Sequence, residues 1–199
     1  TGIILHTGLG RAPLAKSAIE SVQEISEGYA SVEVDVRTGE RGQRIKSVEK
    51  LLCELTGAEA AAVVNNNAAA TMLALSAMAE GREVIVSRGQ LIEIGGSYRL
   101  PDVMECSGAK LREVGTTNKT HLFDYQRAIN EETGALLKVH PSNFEVVGFT
   151  KTVSTKEMVA LASEHDLPVI DDVGSGALID FSEFGLMDEP VVSQSIKDG

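Results

Sequence analysis

Short apolar runs alternate along this chain with segments whose apolar residues recur at helical spacing, and that alternation restricts the fold more than any other feature. The runs are EAAAVV (59–64), EVIVS (83–87), KLREVG (110–115), ALLKVH (135–140) and LPVIDD (167–172). Each is short enough for a strand and apolar enough to be covered on both faces. Leu14, Ala18, Ile19, Val22 and Ile25 mark one face of a helix over Pro13–Glu27, and Val48, Leu51, Leu52 and Leu55 mark another that stops at Gly57. Further helices are expected over Ala68–Met78, near Asp102, over His121–Asn130 and over Lys156–His165, the last opened by a capping box of Ser154 and Glu157. Strand and helix in turn predict an α/β chain with a mostly parallel sheet and helices on both faces. One domain is expected, since no repeat, low-complexity tract or linker interrupts the pattern.

Composition excludes several function classes. Of 199 residues, 43% are hydrophobic and 24% charged, enough for one sizeable core and too apolar for disorder. A formal charge of -11 argues against the segment being by itself a nucleic-acid grip, because phosphate binding needs clustered Lys and Arg. Cys53 and Cys106 lack metal-ligand spacing and suit a reduced interior better than a disulfide framework. No run approaches the roughly 18 apolar residues of a membrane span, and no signal peptide opens the chain. A cytoplasmic location is the expectation. The start at Thr1 on an apolar stretch, and the end at SIKDG where a new element is due, read as those of a fragment.

In a parallel sheet covered by helices, ligands sit beyond the carboxyl ends of the strands. Five turns fall there: NNNAAA, SRGQ, TTN, HPSN and DDVGSG. The triplet Asn65–Asn67 stands out, because a single Gly or Pro ends a strand more simply. At a helix N-terminus the unpaired amides and the dipole receive a phosphate, and the small side chains of Ala68, Ala69 and Ala70 let it approach. The plainer alternative is a capping Asn before helix-forming alanines. Asp171 and Asp172 end an apolar strand just before Gly174, Ser175 and Gly176. A carboxylate there suits a cofactor ring nitrogen, which it keeps protonated, although a cap or turn is the ordinary reading of Asp before Gly. With no His or further carboxylate at ligand spacing, no metal is expected. HTGLGRAP sets His6, Gly8, Gly10 and Arg11 between a strand and a Pro-started helix, and Arg11 suits an oxyanion clamp. The third Gly of the dinucleotide fingerprint and a Walker lysine are both missing. Arg37, Arg41 and Arg44 make RTGERGQR the best local anion site of an acidic chain, or a solvated loop. Asn143 in HPSN is suited to bonding a phenolic oxygen or to holding a turn.

Taken together, LHTGLGRA, TGERGQR, ELTGAEAAAVVNNNAAA, VIVSRGQLIEIGGSYRLPDVM, SGAKLREVGTTNKTH, KVHPSNFEVVGFT and PVIDDVGSGAL resemble, in order and over essentially the whole chain, the bacterial selenocysteine synthases, or L-seryl-tRNA(Sec) selenium transferases. The resemblance implies that residues 1–199 are part of the large domain of a type I, aspartate-aminotransferase-like pyridoxal-phosphate enzyme. An amino-terminal tRNA-binding domain and a carboxyl-terminal small domain are absent from it. Also implied are pyridoxal 5'-phosphate as cofactor, large homo-oligomers built from dimers, and conversion of seryl-tRNA(Sec) to selenocysteinyl-tRNA(Sec) with selenophosphate through an aminoacrylyl intermediate. Residue by residue, it assigns Asn66, Asn67 and the amides of Ala68 and Ala69 to the cofactor phosphate, and Asp172 rather than Asp171 to the pyridine nitrogen. It sets Asn143 near the pyridoxal oxygen, Ser175 among the cofactor contacts, and Arg11 on the anionic selenium donor. Arg41 and Arg44 become phosphate or substrate contacts, in this subunit's site or a neighbour's.

Two positions depart from the family pattern: where it commonly reads HTNLGR and SRGE, this chain has Gly8 and Gln90. The Schiff-base lysine belongs to an SGDK motif expected shortly after Gly199, and Lys197 is not that residue, so the fragment alone is expected to be inactive. Two alternatives stay open: a related pyridoxal-phosphate ammonia-lyase acting on amino-sugar phosphates, which needs no tRNA domain, and a non-catalytic assembly module.

Overall fold

The computed structural model describes residues 13–96, 98–174, 176–186 and 189–199. The chain, expected as one domain, divides into two compact units, Thr1–Ser47 and Val48–Gly199. In the first, α1 (Lys16–Ser26) forms within the predicted span and buries none of its residues. A loop closed by an antiparallel bridge between Val34 and Arg41 follows.

The second unit carries the sheet. After α2 (Lys46–Thr56), which begins just before the unit boundary, come α3 (Asn67–Ala79), β1 (Glu83–Ser87), the short antiparallel pair β2 (Glu93–Ile94) and β3 (Tyr98–Arg99), α4 (Leu100–Cys106) and β4 (Lys110–Val114). Then follow α5 (Leu122–Ala128), β5 (Thr133–Val139), α6 (Thr155–Ser163), β6 (Val169–Asp172) and α7 (Val192–Asp198). The main sheet has the order β4-β1-β5-β6, and all three of its pairings are parallel. Pairing of β5 with β6 sets Lys138 opposite Asp171 and Val139 opposite Asp172.

Successive side chains of a strand point to opposite faces, so one apolar run feeds two cores. Val84, Val86, Leu137 and Val139 join Leu75 and Ala79 of α3 and Leu100 and Met104 of α4 on one side. Ile85 and Leu136 join Tyr125 of α5 and Met158 and Leu161 of α6 on the other. Burying each such Leu, Ile or Val contributes about 1.5–3 kcal/mol. Four of the five predicted strands form; EAAAVV does not. Residues 59–64 make no ladder, and Val63 stands 52% exposed. Three alanines supply little of the β-branched surface that holds a strand in a sheet, and no described backbone pairs with them.

Candidate active site

The asparagine turn and the acidic strand tip meet. Asn66 is the N-cap of α3, and its side chain accepts a hydrogen bond from the Ala69 amide at 2.8 Å. Its carbonyl takes the Ala70 amide. The plain capping reading therefore holds for Asn66. Two first-turn amides, Asn67 and Ala68, have no intrahelical partner by geometry and remain available to an anion. The Asn67 side chain does something else: its Nδ2 donates to Asp172 Oδ1 at 2.9 Å.

Thr71, one turn further along the same helix face, donates from Oγ1 to Asp172 Oδ2 at 3.1 Å. The Gly174 amide donates to Asp172 Oδ1 at 3.0 Å, with Gly174 at φ +60°, a conformation that glycine adopts without strain. Asp172 is 8% exposed. An ionised carboxylate offers about four acceptor positions, of which these three donors take three. One position is left for a protonated ring nitrogen, so the residues present fit a pyridoxal ring at this end.

Asp171 points the other way. Its Oδ2 accepts from Thr155 Oγ1 of α6 at 3.1 Å and from Ser195 Oγ of α7 at 2.8 Å, while Lys138 Nζ stands 4.0 Å from Oδ1. It ties two helices to the sheet edge, which physically separates the two neighbouring aspartates into a structural one and one free for a ligand.

Tyr98, on β3, completes the surroundings of Asp172. Its hydroxyl is buried near Thr71, but the Thr71 proton is given to Asp172 and no hydrogen bond of normal geometry reaches the phenol among the described residues. Burial, and then the charge of Asp172, raise its pKa above the ordinary tyrosine value, so it stays a neutral phenol. Sequence reasoning missed both Thr71 and Tyr98. The four-residue spacing from Asn67 held the signal for Thr71; nothing local marked Tyr98.

On the β4 side the tips of SRGQ, TTN and HPSN enclose a cavity of about 540 Å³. Gly89 permits this closeness, since a Cβ there would lie 2.6 Å from the Thr117 carbonyl oxygen. Arg88 bonds Glu113 at 2.9 Å and the Gly115 carbonyl, which locks the two turns together. Gln90, where the resemblance left a polar contact open, accepts the Val139 amide on Oε1 at 3.2 Å. Asn143 lines the cavity and donates from Nδ2 to the Glu93 carbonyl at 3.1 Å. It makes no hydrogen bond to Asp172; the neighbouring His140 amide, however, donates to the Asp172 carbonyl at 2.9 Å.

In the other unit, Arg41 Nη2 lies 3.2 Å from Glu33 Oε2, and Arg44 pairs with the second oxygen of the same carboxylate. Arg37 engages Asp35, whose pKa is lowered first by the Arg37 amide and then by its guanidinium. Arg11, Ser175, His6, Gly8 and Gly10 lie outside the described residues.

Comparison with known proteins matches the whole chain, residues 1–199, to a family described as L-seryl-tRNA selenium transferase. Over 199 residues it is 59% identical to the L-seryl-tRNA(Sec) selenium transferase of Clostridium botulinum (strain Okra / Type B1) and 61% identical to that of Geobacter sulfurreducens. In both cases all of this chain is covered, and it spans 43% of the relative's length. Among solved structures, a D-glucosaminate-6-phosphate ammonia-lyase superposes with a TM-score of 0.65 at 21% identity, covering 83% of this chain and 45% of that one. An aminotransferase from Psychrobacter cryohalolentis superposes at 0.52 and 19% identity, covering 80% and 37%. The fold is thus aminotransferase-like.

Proposed function

The chain belongs to the L-seryl-tRNA selenium transferase family, and from that premise we propose that the whole protein converts L-seryl-tRNA(Sec) to L-selenocysteinyl-tRNA(Sec), with selenophosphate as donor and pyridoxal 5'-phosphate as cofactor. The observation that carries this reading is the Asp172 carboxylate, buried at the tip of β6 and oriented by Asn67 and Thr71 with one acceptor position open.

Pyridoxal phosphate supplies, when bound, an electron-withdrawing ring that eases loss of the α-proton and β-hydroxyl of a seryl group. Asp172 holds the proton on the ring nitrogen, because a nearby carboxylate favours the charged pyridinium form. Asn67 and Thr71 fix the plane of that carboxylate from one helix face. The amides of Asn67 and Ala68 bind the cofactor phosphate at the N-terminus of α3, a turn that Asn66 keeps capped. Asn143 and Ser175 complete the cofactor contacts. Arg11 binds the anionic donor; Arg41 and Arg44, which pair with Glu33, serve as phosphate or substrate contacts in this subunit's site or a neighbour's. The Schiff-base lysine and the tRNA-binding domain belong to parts of the protein outside this chain.

A homo-oligomer built from dimers is the proposed assembly, supported by Val22 and Ile25 standing 58% and 61% exposed along α1. The proposed location is the cytoplasm; among the described residues no helix is long and apolar enough to cross a membrane. In the full-length protein, Asp172→Ala should lower turnover of seryl-tRNA by about 10²–10³-fold. It should also change the absorbance of bound cofactor while leaving the far-UV circular dichroism intact. Near-normal turnover removes the role of Asp172. Ammonia release from an amino-sugar phosphate, with seryl-tRNA untouched, would transfer the site to the lyase reading that the shared fold also permits.

A further inference from the structure

We propose that the cavity between the tips of β4, β1 and β5 cradles the 3'-terminal nucleotide of the aminoacylated RNA. This rests on the seryl-tRNA reading and adds to it a place for the part of the substrate next to the reacting serine. At about 540 Å³ the cavity falls in the range of small-ligand sites.

With a formal charge of -11, the chain as a whole repels a polyanion, so any grip on RNA has to be local. Two lysines lining this cavity, Lys119 and Lys151, are set side by side by a parallel backbone bridge between their own residues. Neither pairs with a carboxylate among the described residues. Lys119 Nζ lies 5.9 Å from the ring centroid of Phe149, which is 88% exposed. Phe144 lines the cavity itself and is 41% exposed. Cations interleaved with open aromatic faces are the chemistry that takes an unpaired base and its phosphate.

The cavity also holds an unused donor. Gln90 is 7% exposed, and its Oε1 must face the Val139 amide because that amide can only donate. The carboxamide nitrogen is thereby turned away from Val139 and has no hydrogen-bond partner among the described residues, on a side chain that lines this cavity. It offers two hydrogens to a base edge or a ribose oxygen. Two carboxylates line the cavity too: Glu145, and Glu189, whose Oε2 lies 3.3 Å from His140 Nε2. Asn143, expected at the cofactor, also lines this cavity, so an ester-linked serine on a nucleotide bound here starts beside the cofactor site.

The test uses the full-length, cofactor-loaded protein and a fluorescent RNA trinucleotide ending in 3'-CCA. Wild type should bind it in a salt-dependent manner. The pair K119E and K151E together, and F144A separately, should each weaken binding by about tenfold or more and raise KM for seryl-tRNA, with the cofactor absorbance unchanged. Lys156→Glu, a charge change on α6 outside the cavity, serves as control and should alter neither. Equal trinucleotide binding by wild type and the lysine variant overturns the cradle, even where seryl-tRNA is turned over normally. Lysine-dependent trinucleotide binding without any seryl-tRNA turnover would instead overturn the functional reading and leave the nucleotide site standing.

Discussion

At the scale of single residues, the neighbourhood of Asp172 contrasts a satisfied group with an unsatisfied one. The carboxylate has three donors, whereas the Tyr98 hydroxyl beside it is buried with none among the described residues. A buried hydroxyl without a partner costs about 1–3 kcal/mol relative to one left in water. Tyr98→Phe removes that oxygen and keeps the ring, which packs against the core beneath α3 and α4. We expect it to raise the unfolding free energy by about 1 kcal/mol, read as a higher urea midpoint at unchanged slope. A loss of similar size would mean that the phenol bonds Thr71 or Asp172 in solution and helps orient the carboxylate. Burial, and then the charge of Asp172, raise the Tyr98 pKa, so the group that Tyr98→Phe removes near neutral pH is a neutral phenol.

At the scale of elements, α6 owes its start to one reciprocal pair. Ser154 Oγ accepts the Glu157 amide at 3.3 Å, and the Glu157 carboxylate accepts the Ser154 amide at 2.9 Å and its hydroxyl at 2.6 Å. These bonds, the side-chain one first, lower the Glu157 pKa below its ordinary 4.5. A carboxylate with a depressed folded-state pKa stabilises fully above 4.5 and loses that contribution as pH falls through the lower value. Ser154→Ala should cost about 1 kcal/mol and flatten this acid dependence, read as amide exchange at Glu157 and Met158 against pH. Exchange that ignores both the substitution and the acid range would deny the cap any weight. This capping box was legible from Ser and Glu three residues apart, because its physics is local. The strands β1, β5 and β6 were legible for a similar reason, each an apolar run bounded by turn residues; β4 also forms, but as an edge strand with Lys110, Arg112 and Glu113 exposed, and not covered on both faces as its run was expected to be. EAAAVV was misread because strand status depends on a pairing partner distant in sequence, which no window of residues reveals. The meeting of Asn67 with Asp172 was anticipated, although Asn67 reaches the tip of β6 from the first turn of α3 and not from the end of a strand. The contribution of Tyr98 could not be, since it arrives from a short hairpin whose position only the packed sheet defines.

At the scale of the whole molecule, the two units differ in what holds them together. Val48–Gly199 encloses both cores, whereas no described residue up to Ser47 is buried. Glu33 and Asp35 tie its loop through arginines that are 71–85% exposed, and ion pairs so open to solvent hold a loop only weakly. Leu14, Ile19, Val22 and Ile25, all more than half exposed, are therefore surface that an assembled oligomer has reason to cover. Trypsin reads this directly at Lys16, Arg37, Arg41 and Arg44. The isolated chain should be cut there first, leaving a resistant product that begins after this unit. In the full-length assembly those bonds should be cut more slowly by about tenfold or more, since cleavage follows the population of the open form. Val22→Glu with Ile25→Glu should return the fast cleavage together with a fall in molar mass by light scattering. Equal cleavage in assembled and substituted protein would mean that the stripe on α1 stays in water in the oligomer, and the dimer would have to be built on another face.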